Sequence, residues 1–498
     1  MKKLVSFLIL FISVLDCAAQ FRLSGQMPVL VDDTLRLNIP LDYGLPADRD
    51  ILILAKPNGG FELDLGLKEK KLATLNHQGK KYFLLLSPGK NLWIQFSSDN
   101  MPHFSGTAAA ENAQLQDLDL LKIPHFRTPD FITGLKSTAL DSLEDQVIKP
   151  WLRLRNRQLS AIAATPGMSV DDKLLLSQEI KANAIAQLSY FARRDLQLNR
   201  TDLMTYLMHV YREVSVKPDI FPAGPLYYDF ADTYLSYLEA ASYKDFLENG
   251  SNTKRPMKYY GVSIDSSNTL VSQKGRSYLN WLAVKSEFDP RVAEAMLARD
   301  IARLNLAKDL SMMRPLIKEF KTVYPKSKYR RNLEDRMAEL EHRLNANRNN
   351  SAIQILEDYG KVSSIHEVIK RYKGKVVYLD IWGTWCAPCR YELGFNPQLK
   401  SRFKDKGVVF LYLDMDEDDK DGHWKEFISV NQMTGLHLRK NRTEMQKFWE
   451  ELQPDKSKQG LYPSYFIFDR NGQLVPETAG RPSHGEDLYK QLERYLFP

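Results

Sequence analysis

Cys386 and Cys389 stand three positions apart, directly after an apolar run from Val376 to Trp382 and directly before a helical stretch that begins near Ala387. A buried strand that turns through Gly383, Thr384 and Trp385 into a helix bearing a CxxC pair is compatible with few local structures. With Cys17, the chain has three cysteines in 498 residues, so no disulfide framework holds the fold and a packed core must. The composition permits one: 43% hydrophobic and 26% charged residues exclude a collagenous, low-complexity or wholly disordered chain. At roughly 150 residues per domain, about three domains are expected. Lys and Arg number 69 against 62 Asp and Glu, and the resulting +7 is too dilute over this length to imply nucleic acid as a partner.

Met1, Lys2 and Lys3 precede an apolar run from Leu4 to Leu15, and Cys17, Ala18 and Ala19 supply small residues after it. This is the pattern of a secretory signal peptide, expected over 1–19 with cleavage after Ala19 or Gln20. A membrane-spanning helix needs roughly 18 to 20 apolar residues, and Asp16 ends this run too soon. A lipoprotein acylated at Cys17 is the less favoured alternative, because Asp16 occupies a position where a small residue is wanted. No later stretch is long and apolar enough to span a bilayer, so the mature chain is expected in the periplasm or cell envelope, soluble or peripheral.

Three textures follow. Over 21–110, short apolar runs alternate with turn residues: Thr34 to Leu41, Ile51 to Lys56, Phe61 to Leu67, Lys81 to Leu86 and Leu92 to Ser97. Alternation such as Leu35, Leu37 and Ile39 predicts half-buried strands, hence an all-β, sandwich-like antiparallel domain. Over 112–350, apolar residues recur at helical spacing, as in Leu176, Ile180, Ala184, Leu188 and Phe191, and prolines cut a helical domain into pieces. Its Tyr-rich segment, Leu226 to Tyr243, reads as core with a lesser claim to be a groove, and Arg330 to Asn350 reads as an exposed helix running into a linker. Over 353–498, strand and helix signals alternate and close on a hairpin at Arg470, Asn471 and Gly472, with Gln473 to Pro476 as its second strand. That order predicts an α/β domain, a mixed sheet with helices on both faces.

At a helix start, Cys386 meets unpaired backbone N–H groups and the positive end of the helix dipole, which favour thiolate over thiol. Cys389 lies one turn on, placed to resolve a mixed disulfide by attacking Cys386. Pro388 stiffens the first turn at little cost, because a first-turn N–H has no helical partner. Resolution needs a proton acceptor, and two carboxylates are candidates: Asp380 inside the strand and Glu392 three residues beyond Cys389 on the same helical face. A zinc site would need further ligands, with only distant histidines such as His366 or His423 on offer, and a structural disulfide across so short a loop gains little. No metal site and no cofactor other than a redox-active Cys386–Cys389 disulfide is expected. Asp414, Asp416 and Asp418 suggest a calcium loop, but Asp419 and Lys425 stand where Gly and Glu are required, so a solvated acidic loop is expected.

The segment Gly374 to Trp382 followed by Trp385-Cys386-Ala387-Pro388-Cys389-Arg390, with Leu461-Tyr462-Pro463-Ser464 far downstream, resembles the thioredoxin superfamily and within it the TlpA/ResA-type thiol-disulfide oxidoreductases. More loosely, the whole layout is similar to multi-domain members common in Bacteroidetes. The resemblance implies a thioredoxin fold over 353–498 and a cis-proline at Pro463 opposite Cys386. It also implies substrate contacts at Trp385, Pro388, Tyr462 and Pro463, and proton-handling roles for Asp380 and Glu392. Gly394 and the bulky Tyr462 depart from the pattern. Function is thus expected to be reduction of protein disulfides outside the cytoplasm, with thiol or disulfide client proteins and a membrane thiol-relay reductase as partners. The alternatives are a disulfide oxidase or isomerase, or an envelope scaffold whose residues 21–350 grip a partner.

Overall fold

Alternation of apolar and polar residues in the amino-terminal segment builds eight strands in the computed structural model, which describes residues 19–28 and 34–497. The expected leader, except for its last residue, and Cys17 with it, lie outside the described residues. The strands are β1 (Ala19–Gln26), β2 (Thr34–Asn38), β3 (Ile51–Leu54), β4 (Gly60–Leu67), β5 (Lys71–His77), β6 (Lys80–Leu86), β7 (Asn91–Phe96) and β8 (Pro102–Ser105). They form two four-stranded sheets, in the orders β4-β1-β7-β8 and β3-β2-β5-β6. Phe21 and Leu23 of β1, Leu35 and Leu37 of β2 and Ile94 of β7 enter one apolar cluster shared by both sheets. The antiparallel expectation fails at one pair: β1, a strand not foreseen, runs parallel to β7.

The chain divides into two compact units, Met1–Arg299 and Asp300–Pro498. Within the first, packing continues across the passage from strands to helices near residue 110: Leu72, Phe83 and Leu85 share an apolar cluster with Leu115, Leu118 and Leu176. Asn112 accepts from Leu85 N–H (2.8 Å) and donates to Leu85 O (3.1 Å), tying the helix Ala109–Asp117 to β6 as an added strand would. Buried Asp172 takes Lys70 (2.6 Å) and Lys90 (2.9 Å) in ion pairs. The helix Val170–Tyr190 starts at Ser169, whose side chain accepts from Asp172 N–H, and packs along the helix Pro225–Glu248. Tyr227, Tyr228, Phe230 and Tyr234 of the latter are buried, so the Tyr-rich segment is core.

The second unit begins upstream of the change in sequence texture near 350. The helices Leu310–Val323 and Arg330–Asn347 pack against the helix Asp421–Val430. Arg330 to Asn350 is therefore not a free linker helix: Leu333, Arg336 and Leu340 give an otherwise charged element one buried face. The sheet adds β9 (Ile353–Ile355), β10 (Val376–Trp382), β11 (Val408–Asp414), β12 (Gly435–Arg439) and β13 (Ser464–Phe468), in the order β13-β10-β11-β12-β9. All pairs are parallel except β10 with β13. Every residue of β10 is buried, because each face carries its own core. Val377, Leu379 and Ile381 pack with Met445, Phe448 and Trp449, while Val376 and Tyr378 pack with Leu399, Leu488 and Leu492.

Two local expectations are corrected. The helical stretch that begins near Ala387 is two short helices, Ala387–Leu393 and Asn396–Arg402, interrupted at Gly394 and Phe395. Gln473 to Pro476 forms no strand. The turn closes (Asp469 N–H to Gln473 O, 2.9 Å), and a single bridge joins Phe468 to Leu474, with the Val475 N–H donating to Ile467 O (3.0 Å). No described helix is long and apolar enough to cross a membrane.

Candidate redox site

The buried strand β10 delivers the chain to the carboxyl edge of the sheet, where Gly383 makes the turn. A Cβ there would lie 2.7 Å from Trp385 Nε1, so a side chain at this turn would displace the exposed indole. Cys386 and Cys389 are joined as a disulfide with Cα atoms 5.2 Å apart. Cys386 is the N-cap of the helix Ala387–Leu393, and its Sγ accepts the Cys389 N–H at 3.2 Å. Both sulfurs are shielded in this oxidised form, with Cys386 3% and Cys389 1% exposed, whereas Trp385 beside them is 54% exposed and Ala387 and Pro388 are exposed as well. The Tyr462–Pro463 bond is cis, as the family resemblance implies, and Pro463 is buried. The Tyr462 ring meets Trp385 edge-on at 5.5 Å and packs against the apolar cluster that contains both cysteines. Its hydroxyl accepts from Trp449 Nε1 (3.3 Å). Four of the sequence-derived residues, Trp385, Cys386, Cys389 and Tyr462, are thus gathered at one place.

Asp380 is buried in β10, in register between Tyr412 and Tyr465. Its Oδ1 has no hydrogen-bond partner. Burial pushes its carboxyl up to about 8, against the charge of Lys400, with a further upward push from Glu392. Lys400 is driven the other way, down to about 7, by the same desolvation, and donates to Thr434 O. Glu392 is buried on the Cys389 helix, where Ser483 holds both its oxygens: the Ser483 N–H donates to Oε2 and the hydroxyl to Oε1, each at 2.9 Å. These two buried carboxyls thus differ in satisfaction: Glu392 is clamped at both oxygens, whereas Asp380 Oδ1 has no partner and the group feels the charge of half-buried Lys400.

The acidic run after β11 is not a solvated loop. Asp414 and Asp416 are buried, whereas Glu417, Asp418 and Asp419 are exposed, Asp418 pairing with Arg439 at 3.0 Å. Asp416 grips the loop before the cysteines, accepting the Thr384 N–H at Oδ1 (3.0 Å) and the Thr384 hydroxyl at Oδ2. Burial pushes its carboxyl upward in spite of those bonds. On the far side of the same loop, Arg390 donates to Thr384 O and to Asp309 Oδ2. His423, considered above as a zinc ligand, hydrogen-bonds Asp309 instead (2.9 Å). Lys400, Asp416, Ser483, Arg390 and Asp309 went unnoticed as site residues in the sequence. Of these, only Arg390 lies within the motif.

A five-stranded mixed sheet with a CxxC pair capping the helix after its central strand, and a cis-proline loop alongside, defines a thioredoxin-like domain. Residues 360–492 match the Redoxin family model, and the carboxy-terminal region of this chain is a Redoxin domain. Over 130 residues the chain is 32% identical to the thiol-disulfide oxidoreductase ResA of Bacillus thuringiensis subsp. konkukian, and over 133 residues 35% identical to that of Bacillus anthracis. Each match covers 26% of this chain and 65% of the relative, so the chain spans about two thirds of the length of these curated proteins. The crystal structure of the thioredoxin domain of a thiol-disulfide oxidoreductase from Bacteroides vulgatus is also similar. It is 24% identical, has a TM-score of 0.22 and covers 26% of this chain and 83% of that one.

Proposed function

We propose that the chain is a thiol-disulfide oxidoreductase that reduces disulfides of client proteins outside the cytoplasm. The observation that carries this reading is the Cys386–Cys389 disulfide at a helix N-cap, next to the exposed Trp385 and the half-buried Tyr462. In the reduced protein, the Cys386 thiolate attacks a client disulfide, forming a mixed disulfide and releasing one client thiolate. Cys389 loses its proton and attacks Cys386 Sγ, releasing the second client thiol and restoring the disulfide. The exchange moves two electrons to the client, and those electrons come from a membrane thiol-relay reductase. Asp380 and Glu392 handle the Cys389 proton; unionised at neutral pH, Asp380 also passes protons without leaving a charge in the core. Trp385, Pro388, Tyr462 and Pro463 form the client-binding surface, and the redox-active disulfide is the one prosthetic element required. The leader over 1–19 delivers the chain to the periplasm or envelope, and the two amino-terminal sheets over a shared core fit a sandwich-like domain.

Replacing the resolving thiol tests this directly. Cys389→Ser, reduced and mixed with disulfide-bearing proteins, is expected to accumulate adducts linked through Cys386 that dithiothreitol releases. A chain whose domains merely grip a partner accumulates none, and that result would overturn the reading.

A further inference from the structure

Asp309 lies outside the residues that match the Redoxin family, at the start of the helix Leu310–Val323, yet it is 3% exposed and both its oxygens are committed. Oδ1 accepts the Met312 N–H (3.2 Å), capping the helix, and hydrogen-bonds His423 Nε2 (2.9 Å). Oδ2 accepts from Arg390 Nη2 at 2.9 Å. Capping needs only one oxygen, and an asparagine would serve it equally well. The second oxygen holds the guanidinium that directly follows Cys389. The same guanidinium donates through Nε to Thr384 O, two residues before Cys386, and lies 5.0 Å above the Phe427 ring. Thr384 is thus fixed on all its polar atoms, its N–H and hydroxyl by Asp416 and its carbonyl by Arg390.

We infer that Asp309 is a positioning residue of the redox site: its carboxylate anchors and neutralises Arg390, and through Arg390 it sets the loop geometry and charge balance at Cys386. The inference rests on the thiol-disulfide reading above. The charged and titratable groups facing Asp309 are Arg390 from the Cys389 helix and His423 from the helix Asp421–Val430, with Asp416 across the loop. Burial raises the Asp309 carboxyl, but the hydrogen bonds and charges of His423 and Arg390 outweigh it and hold the group below its usual value. A segment upstream of the family domain therefore supplies a fixed negative charge to the active-site loop. Without that charge, Arg390 is an uncompensated cation beside the motif, and a cation favours the thiolate.

The test uses the full chain, reduced, with iodoacetamide labelling of Cys386 followed across pH for the wild type, Asp309→Asn, Arg390→Gln and Glu426→Gln. Glu426 accepts from Ser311 Oγ and Arg314 Nη1 (each 2.6 Å), so its substitution loosens the packing of the same two helices without touching Arg390. Asp309→Asn is expected to move the labelling inflection down by about half a pH unit, roughly a threefold change in thiolate population. Arg390→Gln, which removes the cation, is expected to move it up, and it decides the matter if Asp309→Asn does not fold. Glu426→Gln is expected to overlay the wild type. The inference is overturned if Asp309→Asn overlays the wild type, if Arg390→Gln does, or if Glu426→Gln shifts the curve as far as they do. A wild type whose Cys386 shows no inflection below the free-thiol value of about 8.5 overturns instead the redox reading beneath it.

Discussion

Asp380→Asn is expected to give a chain that is more stable at neutral pH and slower in exchange. In the folded state the carboxyl stays protonated up to about 8, whereas in the unfolded chain it ionises near 3.8. The unfolded state therefore binds fewer protons between those values, and wild-type stability falls as pH rises from about 4 to about 8. Lys400 contributes the opposite limb: its folded value of about 7 lies below the 10.5 of an unperturbed lysine, so stability recovers as pH rises from 7 towards 10. Asparagine cannot ionise and removes the falling limb. At 1.36 kcal/mol per pKa unit the gain by pH 8 is of order 5 kcal/mol, readable as a raised denaturation midpoint that no longer declines between pH 4 and 8. The same substitution removes the carboxyl that relays the Cys389 proton, and release of client from the mixed disulfide should slow by about 10²-fold or more. A buried acid retained at such a cost in stability is expected where it serves the chemistry. If Asp380→Asn is more stable and exchanges at the wild-type rate, Asp380 has no part in proton handling.

Cys386→Ser is expected to abolish exchange while sparing the fold. Serine is among the best N-cap residues, so its Oγ replaces Sγ as acceptor for the Cys389 N–H and the helix Ala387–Leu393 keeps its start. Serine is not a nucleophile towards disulfides, and Cys389 lies inside the helix, away from the N-cap position that favours a thiolate. Turnover of a client disulfide should fall by roughly 10³-fold or more, with an unfolding midpoint within about 1 kcal/mol of the wild type. Residual turnover above a tenth of the wild-type rate would mean that Cys389 initiates attack and the roles are reversed.

The parts of the site legible in the sequence are those that local pattern encodes. An unbroken apolar run means a strand covered on both faces, and β10 is buried at every residue. A charged residue inside that run had to be either a task or an error, and Asp380 is buried. The cis peptide at Pro463 was legible only through family resemblance, since nothing in the local sequence requires it. What escaped is long-range. Arg390 finds Asp309 across 81 residues, Glu392 finds Ser483 across 91 and Thr384 finds Asp416 across 32, and no periodicity connects partners so far apart. Asp414 and Asp416 looked solvated because they sit in an acidic run, whose burial depends on Thr384 and Arg439 arriving from elsewhere. The helix Arg330–Asn347 misled for a related reason: a narrow apolar stripe among many charges is enough to dock a helix when a partner helix is present. β5 and β9 were missed because the first carries Ala73, Thr74 and Asn76 and the second has three residues.

Stoichiometric transfer to a client is the decisive measurement. The fully reduced chain, freed of reductant and mixed with excess insulin under anaerobic conditions, should lose about 2 Da as Cys386 and Cys389 rejoin, with one insulin disulfide opened per chain. If the chain keeps both thiols while insulin stays oxidised, the pair does not donate electrons to protein disulfides and the proposed function is wrong.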